Sequence, residues 1–326
     1  MSDPILTTDT AKCIHCHACR DSCAFLSKYG IDIGDSESLR KLAYHCLLCG
    51  TCSHVCPESI DGRGAILDLR RELAGSGESV LSSKKYQMLL WEKKNYKFRN
   101  YRNAHAKSVL FPGCSFPSLY PQTTALLVRM LHEKAGIGVA YDCCGKPVAE
   151  LGLAHDEQAI IADINRRLCD SGAEEIITVC PNCYSFLKDR LPVRVVSIYE
   201  KLRELGFGNR IPGGSPVFMP CPDRESGELL RQIECYFAEN NYECIRDVQC
   251  CGLGGSAALL ESGLAQSMTA ELKDRDTVYV YCASCAGKLK RDGVRDVRHI
   301  LTEILGTQEK PDTGKSMINR MLTKLK

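Results

Sequence analysis

The chain has 326 residues, 44% of them hydrophobic, so it can bury a substantial core and is long enough for two or three domains. Its 42 basic and 40 acidic residues leave a formal net charge of +2, which gives no global field for nucleic acid or an anionic membrane. The apolar runs are far shorter than the roughly 20 residues that cross a bilayer, and the N-terminus has no pattern typical of a secretory signal. We therefore expect a cytoplasmic protein.

Cysteine is the unusual component, with 21 residues in the chain. A secreted disulfide scaffold is one explanation, but such scaffolds are usually short, and long chains with ordinary cores rarely need crosslinks. The cysteines also cluster at repeated short spacings, which suits several ligands that converge on one metal centre. The pattern therefore favours metal binding over disulfides.

Two cysteine runs lie near the N-terminus, at residues 13–23 and 46–57. Both have the spacing CxxCxxCxxxC, and Pro57 follows the second run. In two-cluster ferredoxins, three thiolates at this spacing bind one cubane 4Fe-4S cluster, and the fourth cysteine binds the other cluster. The spacing predicts one cluster on Cys13, Cys16, Cys19 and Cys56 and a second on Cys46, Cys49, Cys52 and Cys23. Zinc is the alternative, but a zinc ribbon needs four ligands per metal and would leave the middle cysteines unexplained.

Short helices are predicted around these runs. Ser36 is placed to cap a helix that carries Leu39 and Leu42, and helical spacing recurs over 60–73. This region resembles the helical ferredoxin domain of succinate dehydrogenase iron-sulfur subunits and of heterodisulfide reductase. We therefore place a mostly helical ferredoxin domain at residues 1–80.

Four histidines adjoin the ligand cysteines, namely His15, His17, His45 and His54. A hydrogen bond from histidine to a ligand sulfur would tune the cluster potential. Solvent-facing loop positions are the simpler interpretation, because nothing local fixes the direction of these side chains.

Residues 81–108 form a basic and aromatic segment. Between Lys84 and Lys107, lysine and arginine far outnumber the single acidic residue, Glu92, and aromatic residues are interleaved. Such a mixture can bind single-stranded nucleic acid, but lysine stems and aromatic rings also pack well between two domains. Since an isolated basic stretch is weak support for nucleic acid, we expect a linker and no nucleic-acid partner.

The rest of the chain contains an internal repeat, with a cysteine, a Cys-Cys-Gly and a CxxC pair in the same order in each half. Helical spacing over 123–134 and 158–168, and short apolar runs that end at cysteines, predict strand-helix-strand lobes. We place these lobes at 109–210 and 211–306. Open α/β sheets carry their chemistry at the carboxyl ends of strands, where these cysteines fall. The expected fold class is therefore α/β, with two duplicated lobes that face each other.

Each half has five motif cysteines. Because a cubane or a zinc ion takes four protein thiolates, the fifth indicates a larger or distorted cluster. The doubled motif resembles the cysteine-rich CCG motif of the heterodisulfide reductase catalytic subunit, with relatives among the iron-sulfur subunits of glycolate, lactate and anaerobic glycerol-3-phosphate dehydrogenases. The resemblance implies two noncubane 4Fe-4S clusters, one on Cys114, Cys143, Cys144, Cys180 and Cys183 and one on Cys221, Cys250, Cys251, Cys282 and Cys285. The chain departs from many relatives at Pro222, where they have histidine.

Several other residues lie outside these sets. Cys169, Cys235 and Cys244 fit no motif, and their settings predict ordinary buried thiols. Residues 252–255 lack a complete phosphate or dinucleotide fingerprint, so no flavin or NAD site is expected, and their glycines would let the backbone approach a cluster. His299 either lies near the second cysteine set or is a helix-capping or surface histidine.

Two functions fit these features. In the first, which the resemblance implies, the CCG clusters each take one sulfur of a small disulfide and the ferredoxin clusters feed them electrons. In the second, the chain relays electrons from a flavoprotein that oxidises a hydroxy acid or glycerol 3-phosphate toward quinone or a membrane partner. A zinc-stabilised scaffold is a third, weaker alternative.

Both leading functions require partner subunits, because the chain has no recognisable flavin or nicotinamide site. The expected partner is a flavoprotein, either a bifurcating flavoprotein or an FAD dehydrogenase, or else a membrane cytochrome or quinone module. Such a partner would place the chain at the periphery of a membrane. The tail at 307–326 is predicted to form either a small amphipathic helix that docks on the partner or a disordered end.

Overall fold

A computed structural model describes residues 10–325. The described chain divides into two compact units. Unit 1 takes the described residues up to Lys94 together with Pro147–Gln158 and Asp247–Ala270, and unit 2 takes Asn95–Lys146, Ala159–Arg246 and the described residues from Glu271. Each unit is therefore assembled from three separate stretches of the chain.

Short helices surround the two N-terminal cysteine runs in unit 1. They are α1 (Ala18–Ser22), α2 (Ala24–Tyr29), α3 (Ser36–Leu42), α4 (Thr51–His54), α5 (Gly62–Ser76) and α6 (Lys84–Lys93). The helix α5 begins after Asp61, whose carboxylate accepts a hydrogen bond from Gly64 N–H at 3.0 Å. The mostly helical N-terminal region that the sequence predicts is confirmed.

One detail of this region differs from the prediction. The sequence places Ser36 as the cap of α3, but Ser36 is the first residue inside the helix, and Asp35 is the N-cap. The Ser36 hydroxyl lies 3.5 Å from the Gly34 carbonyl oxygen instead. The apolar positions Leu39 and Leu42 pack in or against the core as their helical spacing predicts.

Two sheets lie in unit 2. Their strands are β1 (Asn100–Asn103), β2 (Ser108–Phe111), β3 (Gly138–Tyr141), β4 (Glu175–Thr178), β5 (Arg194–Ser197), β6 (Ser215–Phe218), β7 (Tyr242–Ile245), β8 (Thr277–Val280) and β9 (Asp296–His299). Within residues 10–325 the first sheet has the order β1-β3-β2-β4-β5 and the second has the order β7-β6-β8-β9. All neighbouring strands are parallel except the pair β1 and β3. The α/β class is confirmed.

Helices connect the parallel strands. The remaining helices are α7 (Phe116–Leu119), α8 (Pro121–Ala135), α9 (Lys146–Ala149), α10 (Ala154–Ser171), α11 (Pro181–Leu187), α12 (Ile198–Glu204), α13 (Glu228–Ile233), α14 (Ser262–Ser267), α15 (Ala283–Asp292), α16 (Ile300–Ile304) and α17 (Ser316–Leu322). The central strands are fully buried, as at Leu110 and Ile177. Burial on both faces is typical of parallel strands that are covered by helices.

The predicted linker and tail both contain regular structure. Residues 81–108 include α6 and the antiparallel edge strand β1. The described part of the tail includes α17, where the buried Asn319 amide donates to the Ser118 carbonyl at 3.1 Å. Within residues 10–325, no helix has both the length and the apolar character needed to cross a membrane.

Candidate metal centres

Cys13, Cys16, Cys19 and Cys56 line a single cavity in unit 1. The space between the lining side chains is about 270 Å³, a figure that includes open solvent. Cys16 is exposed, whereas Cys19 is buried. The structure therefore brings together the first three cysteines of the first run and the last cysteine of the second run, and it leaves this group at the surface.

The second N-terminal set is more deeply buried. Cys23, Cys46 and Cys52 are each less than a tenth exposed, and Cys49 is half-buried. Burial raises the pKa of Cys46 to about 12, and the charges of Cys46, Cys23 and Cys49 add to burial in raising the pKa of Cys52. These four thiols therefore lie within electrostatic reach of one another. Because thiols with raised pKa values hold their protons, a metal that binds here must displace those protons.

The two cysteine runs share an uncommon backbone geometry. His15 and Leu48, which directly precede the second cysteine of each run, have φ of 52° and 50°. The backbone N–H of each residue points to the first cysteine sulfur of its run, at 3.4 and 3.3 Å. Left-handed conformations at non-glycine residues are costly and cluster at functional sites. The shared geometry indicates that both loops are shaped for the same kind of ligand.

Asp32 is a buried carboxylate beside the first set that sequence reasoning missed. It accepts from Gly34 N–H at 2.8 Å and lies 2.9 Å from His15 Nδ1 and 3.5 Å from His17 Nε2. Burial is the largest single effect and opposes its charge, but the hydrogen bonds from His15 and Gly34 and the charges of His15 and His17 together outweigh burial, so the pKa of Asp32 is lowered. His15 and His54 are exposed as the simpler interpretation predicts, whereas His17 and His45 are half-buried. Asp32, 17 residues beyond His15 in the chain, contacts both His15 and His17.

A buried arginine holds the loop of the second set, and this residue was also missed. The Arg70 guanidinium is fully buried and donates to the carbonyl oxygens of Cys46 at 2.7 Å and Ala43 at 3.0 Å. It also donates to the carbonyls of Glu150 at 2.6 Å and Gly255 at 2.9 Å. Arg70 thus ties the three stretches of unit 1 to one another. A signal was present, because helical spacing puts Arg70 among the apolar residues of α5.

The glycines at 252–255 approach the same loop. A Cβ atom on Gly254 would lie 2.1 Å from the Leu47 carbonyl oxygen, and a Cβ on Gly255 would lie 2.8 Å from the Cys46 carbonyl oxygen. The Gly252 N–H also points to Cys250 Sγ at 3.3 Å. Glycine is therefore required at 254 because the two backbones nearly touch there.

In unit 2, the first CCG cysteines follow the ends of β2, β3 and β4. Hydrogen bonds from the Cys143 and Cys183 thiols lower the pKa of Cys144 to about 5. Bonds from Cys183 and Cys282 likewise lower the pKa of Cys180. Cys114, the remaining member of the predicted set, is half-buried beyond the end of β2. The structure therefore gathers Cys143, Cys144, Cys180 and Cys183 into one network of thiols.

The second CCG set is divided between the two units. Cys221, Cys282 and Cys285 belong to unit 2, whereas Cys250 and Cys251 belong to unit 1. Cys282 joins the first network through Cys180, and the Asn182 amide lies 3.6 Å from its sulfur. Within unit 2, a thiol of one set therefore contacts a thiol of the other, and the division of the ten cysteines into two groups of five stays a prediction.

Pro222, where the sequence departs from many relatives, is followed by a buried aspartate. Asp223 accepts from the backbone N–H groups of Leu229 and Leu230, both at 2.9 Å. Asp223 also accepts a hydrogen bond, at 2.7 Å, from the hydroxyl of Tyr281, which directly precedes Cys282 in the chain. The carboxylate therefore fixes α13 and the Cys282 loop.

Buried polar atoms without partners test whether an iron-sulfur cluster fits these thiols. Among residues 10–325, the hydroxyls of Tyr120 and Tyr199 and the Nε2 atom of His299 are buried and have no hydrogen-bond partner. Cys282 and Cys180 are among the charges that add to burial in raising the pKa of Tyr199. Donors left unsatisfied beside thiols fit a bound group that offers acceptor sulfurs. The residues present therefore fit an iron-sulfur cluster.

His299 shows how these donors are held. Burial lowers its pKa to about 3, so the imidazole is neutral at pH 7. Its Nδ1 accepts from Leu301 N–H at 3.2 Å, which leaves the proton on Nε2. The ring packs against Phe116 and Tyr120, with centroids 5.0 and 5.1 Å away. Helix capping is confirmed, and Cys180 of the first set is the cysteine whose charge acts on His299.

The cysteines outside the motifs differ from their predicted setting. Cys169 and Cys235 are exposed, so the expectation that they are buried is wrong. Cys169 lies on the solvent side of α10, whose opposite side buries Ile164 and Leu168. Cys244 in β7 is half-buried, 4.0 Å from the Met219 sulfur.

Part of this chain matches a known domain family, and most of it is similar to known proteins. Residues 108–188 match the CCG cysteine-rich domain family. The chain is 26% identical to the B chain of the CoM/CoB fumarate reductase of Methanothermobacter marburgensis, over 89% of this chain and 71% of that protein. It is 24% identical to the EtfAB:quinone oxidoreductase of Syntrophomonas wolfei, over 71% of this chain and 38% of that protein.

A solved structure with partial likeness is a hypothetical protein from Helicobacter pylori, with a TM-score of 0.48 and 11% identity over 90% of this chain and 68% of that chain. The matching domain and the oxidoreductase relatives support iron-sulfur binding and electron transfer. Residues 108–188 therefore match the CCG cysteine-rich domain that the resemblance in the sequence predicted, and the chain as a whole is similar to oxidoreductases.

Proposed function

We propose that this chain is an iron-sulfur oxidoreductase subunit, in which two cubane clusters feed electrons to two noncubane clusters that reduce a disulfide. The observation that carries the proposal is the buried network of Cys143, Cys144, Cys180 and Cys183, which Cys282 joins. Iron-sulfur clusters on the thiols would accept and donate single electrons.

The burial of the N-terminal cysteines supports an order of electron flow. Cys16 is exposed and Ile14 beside it is 61% exposed, so a donor protein can approach the first set closely. Cys23, Cys46 and Cys52 of the second set are shielded from solvent. We infer that electrons enter at the first set and continue through the second set toward the CCG cysteines.

Disulfide reduction consumes two electrons and two protons, and it breaks one S–S bond to yield two thiols. The anionic sulfur that forms as this bond breaks needs hydrogen-bond donors in a site with little water. The free hydroxyl of Tyr199 and the Nε2–H of His299 supply such donors beside Cys180 and Cys282.

Anaerobic reconstitution of the full chain tests this proposal. Four clusters predict about sixteen irons per chain, whereas about eight irons plus zinc would mean that the CCG sites hold no cluster. We expect the iron-replete chain to reduce a disulfide with an artificial electron donor. The variant Cys180→Ser should lose this activity, and Cys169→Ser, which changes an exposed cysteine outside the motifs, should keep it. No turnover of any small disulfide or heterodisulfide by the iron-replete chain would contradict the proposal.

A second candidate function is an electron relay between a flavoprotein dehydrogenase and quinone. The relative from Syntrophomonas wolfei, a quinone oxidoreductase by name, favours it. The chain spans 38% of that relative, so the relative's activity does not transfer directly. Under this hypothesis, the iron-replete chain would accept electrons from a flavoprotein and reduce a quinone analogue, while disulfides would leave its reduced clusters unchanged.

Either function implies a partner subunit, and the tail supplies a surface for one. Met317, Ile318 and Met321 of α17 are each more than half exposed. An apolar helix face of this kind can dock in a groove on a partner. We propose that this partner is a flavoprotein, or a membrane cytochrome or quinone module, and that it is not a nucleic acid. A membrane module would bring the chain to the periphery of a membrane.

A further inference from the structure

Gln249 stands directly before the Cys250-Cys251-Gly252 motif, yet its side chain lies against the second N-terminal cysteine set. Its amide nitrogen is 3.4 Å from Cys23 Sγ and 3.3 Å from Cys49 Sγ. These two cysteines come from different runs and precede Gln249 by 226 and 200 residues in the chain. All three residues belong to unit 1.

A third contact fixes which end of the amide faces the sulfurs. The Gln249 side-chain oxygen accepts a hydrogen bond from the backbone N–H of Ala24 at 3.0 Å. The NH₂ group therefore points to the sulfurs, and it carries one hydrogen for each. Cys23 is only 6% exposed. In such a poorly hydrated place, a hydrogen bond has a larger electrostatic effect than it has in water.

We propose that Gln249 is a positioning residue that sets the reduction potential of the cluster on Cys46, Cys49, Cys52 and Cys23. The inference rests on the proposed function for the assignment of these four cysteines. A donor at a ligand sulfur stabilises the reduced cluster, which carries more negative charge, and so raises its potential. Gln249 also ties the fourth ligand, Cys23, to the loop that carries Cys49.

The matching position in the first half of the repeat is used differently. There, Asp142 precedes Cys143, and its carboxylate accepts from Arg99 Nε at 2.8 Å and from the Tyr101 hydroxyl at 3.1 Å. An ionised carboxylate has no hydrogen to donate to a sulfur. Gln249 therefore donates hydrogen bonds to N-terminal cysteines, whereas Asp142 accepts hydrogen bonds from residues of unit 2.

Gln249 also stands at a junction between motifs. Cys250, its neighbour in the chain, packs with Leu47 and Ala257, and Cys49 lies against this group. The potential that Gln249 sets is therefore the potential at the point where the N-terminal cysteines meet the motif of the second half. A raised potential there would hold electrons close to the CCG cysteines.

The test uses two variants of opposite expected effect in the reconstituted full chain. Gln249→Leu removes both N–H donors, and Gln249→Lys replaces them with a charged donor. Each chain is titrated anaerobically while electron paramagnetic resonance follows the clusters, and the loss of one signal in Cys46→Ser identifies the second set. Gln266→Leu, an exposed glutamine in the same unit, is the matched control.

We expect Gln249→Leu to shift the reduction equilibrium of that cluster about tenfold toward the oxidised form, which is about 59 mV for one electron. Gln249→Lys should shift it in the opposite direction, and Gln266→Leu should leave it unchanged. The signal of the first set should not move in any of these variants.

The inference is overturned if neither variant moves the potential, if both move it the same way, or if both lose the iron of this cluster. The last result would assign Gln249 to assembly instead of tuning. Opposite shifts in a chain that reduces no disulfide would uphold the role of Gln249 and refute disulfide reduction. An unsubstituted chain that binds no iron at Cys46, Cys49, Cys52 and Cys23 would refute both the role of Gln249 and the proposed function.

Discussion

Replacement of Arg70 by methionine should destabilise unit 1 strongly. Methionine keeps the length and apolar stem of the side chain but donates no hydrogen bond. Arg70 donates to four carbonyl oxygens at 2.6 to 3.0 Å, and its guanidinium lies 5.0 Å from the Tyr44 ring centroid. Because the guanidinium is fully buried, water does not satisfy those carbonyls in the folded protein.

The magnitude follows from the number and kind of bonds that are lost. A hydrogen bond to a charged group contributes about 1.5–3 kcal/mol, so four of them give a gross contribution of about 6–12 kcal/mol. Burial of the guanidinium charge costs several kcal/mol, which the variant recovers. We therefore expect Arg70→Met to lower the free energy of unfolding by about 3–5 kcal/mol, a large part of the roughly 5–15 kcal/mol that a domain has.

Anaerobic urea unfolding, followed by far-ultraviolet circular dichroism, measures this free energy. Arg71→Met is the matched control on the same helix, because the Arg71 side chain is 40% exposed and forms an ion pair with Asp68 at 3.0 Å. We expect that control to change stability by less than about 1 kcal/mol. Arg70→Lys should fall between the two, since an ammonium group keeps the charge but lacks the planar fork. A loss below about 1 kcal/mol in Arg70→Met would refute the reasoning.

Three further predictions follow from buried contacts. Gly254→Ala should lower the free energy of unfolding by about 1–3 kcal/mol, because its Cβ atom would meet the Leu47 carbonyl oxygen. Gly263→Ala is the control, because a Cβ atom there meets open space and should leave the stability unchanged. Equal effects of the two substitutions would contradict this prediction. Burial opposes the charge of Glu261, but bonds from Lys28, Tyr29 and His45 lower its pKa to about 2 from 4.5, so Glu261→Gln should cost about 2–3 kcal/mol at pH 7. A carboxyl group whose pKa is lowered by folding stabilises the folded protein at pH values above its unfolded pKa, so the cost of Glu261→Gln should fade as the pH falls from 4.5 to 2. A cost that does not depend on pH would refute this prediction. Tyr199→Phe should shift a CCG cluster potential downward in a redox titration and leave the iron content unchanged, whereas an unshifted potential would exclude the hydroxyl as a donor.

Much of the secondary structure could be predicted because its signals are local. The helical spacing around Leu39 and over 60–73 predicts α3 and α5, and the spacing over 123–134 and 158–168 predicts α8 and α10. Short apolar runs before the cysteines likewise predict β2, β3, β4, β6 and β8. Periodicity reports which residues share one face of one element, so it succeeds within an element. It failed for Cys169, since a cysteine alone does not say which face of a helix is buried.

The candidate site was predictable to the extent that its spacing is local. Three thiolates in CxxCxxC lie close together in any fold that binds a metal with them. Their fourth partner, such as Cys56 for the first run, follows from a rule learned on similar runs. Asp32 and Glu261 belong to no motif with a recognisable spacing. Their partners lie in other segments of the chain; His45, for example, precedes its partner Glu261 by 216 residues.

The sequence by itself determined which cysteines are available as ligands, the order of their motifs, and the alternation of strands and helices in the second part of the chain. These properties depend on the chemistry of neighbouring residues and on the periods of helix and strand. Only the tertiary structure decided that Gln249 faces Cys23 and Cys49, and that Arg70 joins three stretches of unit 1. Such contacts arise when distant segments bury their apolar surfaces together, and buried polar groups must then find partners wherever packing has left them.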